Sequence, residues 1–379
     1  MAPTPNELWQ HGSGFFSRLK NYYAKDVDTA PLISEQAALL CEVLFTAFYV
    51  APFYLSSTLR STPLQSRDAP TVIRARVRAV GLTCVACTVI TVYVLAIPGH
   101  CTPKEVIRLL GIWPIDPIDI LRVLGLVMIL YICSLYETII VDGEWRNWSF
   151  ASFKEGIFDN WIGYRNLIVA PITEEVVFRA LTIPLFLLAK TSPTRIVFVT
   201  PAVFGLAHLH HLVDFIRSRT PTGLRSPPSM IWLQGILRST FQFAYTSLFG
   251  FFAAFVFLRT GNLYAAIVAH SFCNRMGLPR VWGKVGQVAD YDYVPAEMKG
   301  QAKRDDDAHI PGSPIKVGNS LMQDEDGDVT KSEESTSAGS KNLGLAWTML
   351  YYLLLFVGAF GFYKMLFTLT DSRNALARF

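Results

Sequence analysis

Residues 167–190 read LIVAPITEEVVFRALTIPLFLLAK. The stretch has the length and apolar content of a membrane-buried helix, yet Glu174, Glu175 and Arg179 sit inside it. A charged side chain at the centre of a transmembrane helix costs roughly 2.5–3.5 kcal/mol. Three of them cost about 8–10 kcal/mol if additive, whereas each Leu, Ile, Phe or Val returns only about 0.3–0.6 kcal/mol. A chain that carries such a cost uses the charges, so the triplet marks a functional site.

The rest of the chain has the same character. Of 379 residues, 51% are hydrophobic and 17% charged, against about 25% charged in soluble domains; the mean hydropathy is +0.32. Apolar runs near the length needed to span a bilayer fall at 36–57, 79–99, 119–141, 167–189, 196–213, 231–258, 262–277 and 343–367. The expected fold is therefore all-α: a polytopic membrane bundle of about eight transmembrane helices, with the run at 262–277 short enough to be tilted or partly inserted. Residues 1–35 are polar and lack a small-residue cleavage pattern, so the first run is expected to act as the insertion signal. The net charge of +4 is small and gives no nucleic-acid reading.

With eight crossings, loops 58–78, 142–166, 214–230 and 278–342 share one side and carry 5, 3, 3 and 8 Lys/Arg. The opposite loops, 98–118, 190–195 and 259–261, carry 2, 2 and 1. The cluster Arg60, Arg67, Arg74, Arg76 and Arg78 dominates this difference. The positive-inside rule puts the first set in the cytosol and both termini across the membrane. The chain then divides into a polar segment 1–35, a membrane domain 36–283 with its motif core at 165–277, a polar insertion 284–341 and a last helix with the C-terminus at 342–379. The insertion holds 12 acidic and 7 basic residues, a composition of disorder. Its Asp324-x-Asp326-x-Asp328 resembles a calcium loop only briefly, because Val329 and Ser335 stand where such a loop needs Gly and Glu. Asn147-Trp148-Ser149 matches a glycosylation acceptor on the expected cytosolic side, where it would go unused. Cys84-x-x-Cys87 has redox or metal spacing but no His or charged neighbour and reads as small apolar packing.

Pro171 suits a first helical turn, and Thr173 offers a cap. A helix starting there would place Glu174 and Glu175 at its positive dipole end. Glu175 and Arg179, four apart, share a face and can pair. Glu174 points about 100° away, leaving it a free carboxylate. Phe204-GLA-His208 lies in the run 196–213 and His270-SFC-Asn274 in the short helix. His210 and His211 beside Asp214 read as interfacial residues. Cys273, three residues after His270, is poorly placed for a nucleophilic pair on the same helix. Two Glu, one Arg, two His and one Asn thus fall in three apolar helices, and polar membrane residues face the bundle interior. Glu with His is what water activation needs; Asn with a second His can bind a developing oxyanion.

These elements resemble the type II CaaX prenyl endoprotease family, the intramembrane Ras-converting proteases, whose signature is E-E-x-x-x-R, F-x-x-x-H and H-x-x-x-N or -B. Here it reads Glu174-Glu175-VVF-Arg179, Phe204-GLA-His208 and His270-SFC-Asn274. The resemblance covers about 165–277. It implies removal of the C-terminal tripeptide from farnesylated or geranylgeranylated CaaX proteins, such as Ras-like and Rho-like small GTPases, in the endoplasmic reticulum membrane and with no cofactor. It also implies that Glu174 and His208 activate water, that His270 and Asn274 stabilise the oxyanion, and that Glu175, Arg179 and Phe204 support and line a polar cavity. Two other readings compete. His208, His270, Glu174 and Asn274 have donor atoms for zinc, although no H-E-x-x-H is present and Asn is a poor zinc ligand. A non-enzymatic transporter or scaffold is the other, but the single candidate break near Pro171 falls short of paired broken helices.

Overall fold

The computed structural model describes residues 30–56, 58–59, 68–220, 224, 226–286 and 343–379. Most of segments 1–35 and 284–341, with Arg60 and Arg67, lie outside the described residues, as does the calcium-like stretch. Among the described residues the secondary structure is helical throughout. The principal helices are α1 Glu35–Leu55, α2 Pro70–Ala96, α3 Pro103–Leu109, α4 Pro117–Leu130 and α5 Ile132–Val141. They continue with α6 (161–188), α7 Pro193–Ala207, α8 His210–Arg219, α9 Ser229–Thr260, α10 Leu263–Met276 and α11 Leu345–Leu369.

Every apolar run expected to cross is helical, but the count of eight is not reproduced. Among the described residues, five helices are long and apolar enough on their own: α1, α2, α7 continued through α8, α9 and α11. A sixth span results if α4 and α5 are one, bent by 76°. The other two runs differ for physical reasons. The run at 167–189 carries three charges and is broken by π turns. Helix α10 has 14 residues, about 21 Å at 1.5 Å per residue, against a hydrocarbon core of about 30 Å. The basic loop 58–78 is also shorter than expected, because α2 begins at Pro70 and takes Arg74, Arg76 and Arg78 into its first turns.

Helix α6 is the centre of the bundle. From Val177 to Ala189 the side chains are all buried, Arg179 and Thr182 included, and the other eleven are apolar. Helices α1, α2, α7, α9 and α10 pack around it. Peripheral helices turn large apolar side chains outward: Leu82, Val85, Val89 and Tyr93 on α2, and Leu353, Phe356, Phe360 and Tyr363 on α11. Those stripes are what a lipid-facing surface requires. Helix α7 lies along α9, and the contact is close at Gly250, where an added Cβ would meet the Pro201 ring at 2.6 Å. Helix α9 ends at Gly261, whose left-handed φ of 58° and contact with the Asn374 carbonyl suit only glycine. Asn262 then caps α10, its Oδ1 accepting from the N–H groups of Tyr264 and Ala265. This tight α9–α10 corner sets the direction in which α10 carries His270 and Asn274.

Candidate active site

Local chemistry explains the path of α6. Pro171 has no N–H to give to the carbonyl four residues back, and the chain answers with a π turn at Arg165–Val169. The carbonyls loosened there find partners on α10: Ser271 Oγ donates to Leu167 O at 2.6 Å and Asn274 Nδ2 donates to Asn166 O at 3.0 Å. Thr173 caps nothing. Its hydroxyl donates back to Val169 O at 2.8 Å and accepts from Tyr49 Oη of α1 at 2.9 Å. No helix begins at Pro171, because the chain is already helical from Trp161. The dipole expectation is therefore corrected: Glu174 and Glu175 close the α stretch Ala170–Glu175 and run into a second π turn, Val176–Leu181.

The division of the two glutamates holds. Arg179 Nη1 meets Glu175 Oε1 at 3.0 Å, with side chains 1% and 0% exposed. The guanidinium lies 4.5 Å from the Phe204 ring centroid and 5.9 Å from that of Phe249, and Nη2 reaches the Gly250 carbonyl at 3.5 Å. Glu174 stays out of this pair and keeps 17% of its side chain exposed.

Helix α10 brings His270 to both glutamates. Its Nδ1 lies 2.7 Å from Glu175 Oε1 and its Nε2 lies 3.8 Å from Glu174 Oε2. Because Glu175 Oε1 accepts from Arg179, the Nδ1 carries the proton, and Nε2 is the atom turned to Glu174. The ring also packs on Phe249 with centroids 4.6 Å apart. His208 sits where α7 ends. Its Nδ1 donates to the Phe204 carbonyl at 3.0 Å, since a carbonyl only accepts, which leaves Nε2 as the acceptor of a neutral ring. Both Glu174 and His270 are near enough to act on it electrostatically. Phe204 is buried and touches His208, Phe178 and Arg179 at once. Asn274 is half-buried, and its contact to Asn166 uses one of two amide hydrogens.

Glu174, His208 and His270 thus converge from three helices, with Asn274 one turn along α10 from His270. Sequence reasoning missed Tyr49, Phe249 and a buried carboxyl, Glu42, on α1. Helix α1 was read as plain apolar, although Glu42 is the lone charge in 36–57. Cys273 is buried in the packing of α4 with α10, beside Tyr131, and Cys84 and Cys87 are free thiols on α2. His210, His211 and Asp214 have donor atoms within 4.8 Å of one another, but Arg76 stands 3.8 Å from Asp214 and opposes a cation there. Between α7, α8 and α9 lies an apolar cavity of about 260 Å³, lined by Leu206, Leu209, Leu212, Ile236 and Phe243 among others.

A helical bundle with lipid-facing stripes and an acid–base cluster at its centre defines a membrane-embedded hydrolase. Comparison with known proteins narrows this. Residues 157–276 match the type II CAAX prenyl endopeptidase Rce1-like family. The probable CAAX prenyl protease 2 of Schizosaccharomyces pombe is 33% identical over 247 residues, which span 65% of this chain and 83% of that protein. The CAAX prenyl protease 2 proteins of Homo sapiens and Arabidopsis thaliana are 43% and 45% identical over 117 residues, about a third of their own lengths. No solved structure matches. The chain belongs to the type II CAAX prenyl endopeptidase family and is a membrane protease.

Proposed function

We propose that the chain cleaves prenylated CaaX proteins, Ras-like and Rho-like small GTPases among them, between the prenylcysteine and the aaX tripeptide. The observation that carries the reading is the meeting of Glu174, His208 and His270 beside a Glu175–Arg179 pair that neutralises itself. Glu174 is the carboxylate left to take a proton from water, and His208 Nε2 is a second acceptor on the same water. Attack on the scissile carbonyl builds an oxyanion. The free amide hydrogen of Asn274 and the His270 ring are the groups we assign to stabilise it. Collapse then passes the proton to the leaving amine. The apolar cavity between α7, α8 and α9 suits a prenyl chain arriving from the bilayer, since each buried CH₂ is worth about 0.8 kcal/mol. We place the protein in the endoplasmic reticulum membrane. Loops 58–78, 142–166, 214–230 and 278–342 in the cytosol with both termini lumenal is the eight-crossing arrangement that the Lys/Arg asymmetry favours, and it requires α6 and α10 to cross as well.

The test is cleavage of a prenylated CaaX peptide by membranes containing wild type, Glu174→Ala or His208→Ala. Wild type should release the tripeptide, and each variant should lose at least about 100-fold in rate. A Glu174→Ala protein that folds and cleaves like wild type sinks the reading.

A further inference from the structure

A tripeptide released from a C-terminus carries a free carboxylate three residues past the scissile carbonyl. Fully extended, three residues span at most about 10 Å. Arg165, at the start of the first π turn of α6, stands at that distance from the groups assigned to the oxyanion. Its Nε donates to Asn166 Oδ1 at 2.9 Å, and the Asn166 carbonyl accepts from Asn274 Nδ2 at 3.0 Å. Two hydrogen bonds and the width of one residue thus separate the Asn274 amide from the guanidinium, about 10 Å in all.

The guanidinium already holds a carboxylate. Arg165 Nη1 meets Asp68 Oδ1 at 2.7 Å, with side chains 19% and 44% exposed. A short charge-assisted bond to a guanidinium whose Nε edge is fixed elsewhere is how arginine recognises a carboxylate. Asp68 is the more exposed partner and lies before α2 begins at Pro70, so it can move off Arg165 without opening a helix. A second guanidinium, that of Arg74, lies 5.5 Å from the Trp161 ring centroid, one turn before Arg165 on α6, and adds to the attraction for an anion. The prenyl end has its own receiving groups, because Leu206 and Leu209 of the apolar cavity flank His208.

Resting on the reaction proposed above, we propose that Arg165 is the specificity-determining residue for the substrate's terminal carboxylate, and that Asp68 holds its place between turnovers. Binding exchanges one carboxylate for another, so the guanidinium keeps a counter-charge throughout. Arg275 is the competing candidate, since it follows Asn274. Its side chain is 47% exposed and stands 3.9 Å from Glu144 Oε2, and it points about 100° away from Asn274 around α10. An ion pair so exposed is worth little. A purely anchoring role for the Arg165–Asp68 pair predicts something else: losing it would slow every substrate alike.

The experiment gives the full chain in membranes two prenylated CaaX peptides that differ only at the C-terminus, one a free acid and one a carboxamide. Wild type should favour the acid by about tenfold or more in kcat/KM, the size of a charge-assisted hydrogen bond, with the difference in KM. Arg165→Gln should bring the acid down to the level of the carboxamide. Arg165→Lys should keep part of the preference, because it keeps the charge without the planar fork. Asp68→Asn should lower KM for the acid and give the carboxamide no such gain, and Arg275→Gln should discriminate like wild type. An Arg165→Gln protein that still prefers the acid as wild type does overturns the inference, as does a loss that falls equally on both peptides. An acid KM unmoved by Asp68→Asn overturns the part given to Asp68. A wild type that cuts both peptides alike overturns the inference and leaves the reaction standing, whereas one that cuts neither refutes the reaction and the inference with it.

Discussion

Replacing Arg179 by methionine keeps the unbranched stem but removes a guanidinium that is 1% exposed and 3.0 Å from a carboxylate that is 0% exposed. Glu175 would be left buried, with one oxygen held by His270 and the other without a partner among the described residues. Breaking a buried ion pair from one side costs about 3–5 kcal/mol, because the remaining charge stays desolvated. The contact over Phe204, at 4.5 Å, adds to the loss, since a desolvated cation–π contact is worth about 2 kcal/mol or more. Removing both charges together, with Glu175→Gln and Arg179→Met, should recover part of the cost, because a neutral pair of similar volume leaves no charge stranded. Glu174→Gln should behave differently. Glu174 belongs to no ion pair with Arg179 and is partly exposed, so the midpoint should hardly move while cleavage collapses. The assay is thermal unfolding of the detergent-solubilised protein alongside peptide cleavage. A Glu174→Gln protein as destabilised as Arg179→Met, or a double variant no more stable than the single, refutes the division of labour between the two glutamates.

Gly250→Ala should destabilise by about 1–3 kcal/mol, because the new Cβ would lie 2.6 Å from the Pro201 ring and 3.3 Å from Phe204; unchanged unfolding would mean that α7 and α9 are not so close. Ser271→Ala should cost about 1–3 kcal/mol by stripping the Leu167 carbonyl of its 2.6 Å donor, and hydrogen exchange across residues 161–175 should rise in step. Cys273→Ala should keep cleavage within a few-fold of wild type, since the thiol is packed beside Tyr131 away from the Glu174–His270 contact; complete loss with intact folding would revive a thiol nucleophile.

The contacts that were legible in advance are those fixed within one helix. Glu175 and Arg179 are four apart, and any helical backbone brings such a pair together, even one carrying a π turn just after Glu175. The same spacing released Glu174. The misread details share a cause, which is that they depend on a neighbouring helix. Pro171 looked like a helix start, but Ser271 and Asn274 on α10 take up the carbonyls that a proline disturbs, so the helix continues through it. The crossing count suffered likewise, because apolar length says a segment is buried without saying whether lipid or protein covers it. From Val177 to Ala189 the chain is covered by protein on every side.

By itself, then, the sequence determined the membrane class, the helical fold, the charged triplet that had to be used, and the family signature, since each follows from composition or from spacing along a single helix. The tertiary structure alone decided that His270 lies between the two glutamates, that Phe204 and Phe249 flank the guanidinium, and that Asn274 is tied to the backbone of α6. Those contacts link residues up to about a hundred or more positions apart, and their geometry is set by how tightly the helices approach at Gly250 and turn at Gly261, which no local pattern encodes.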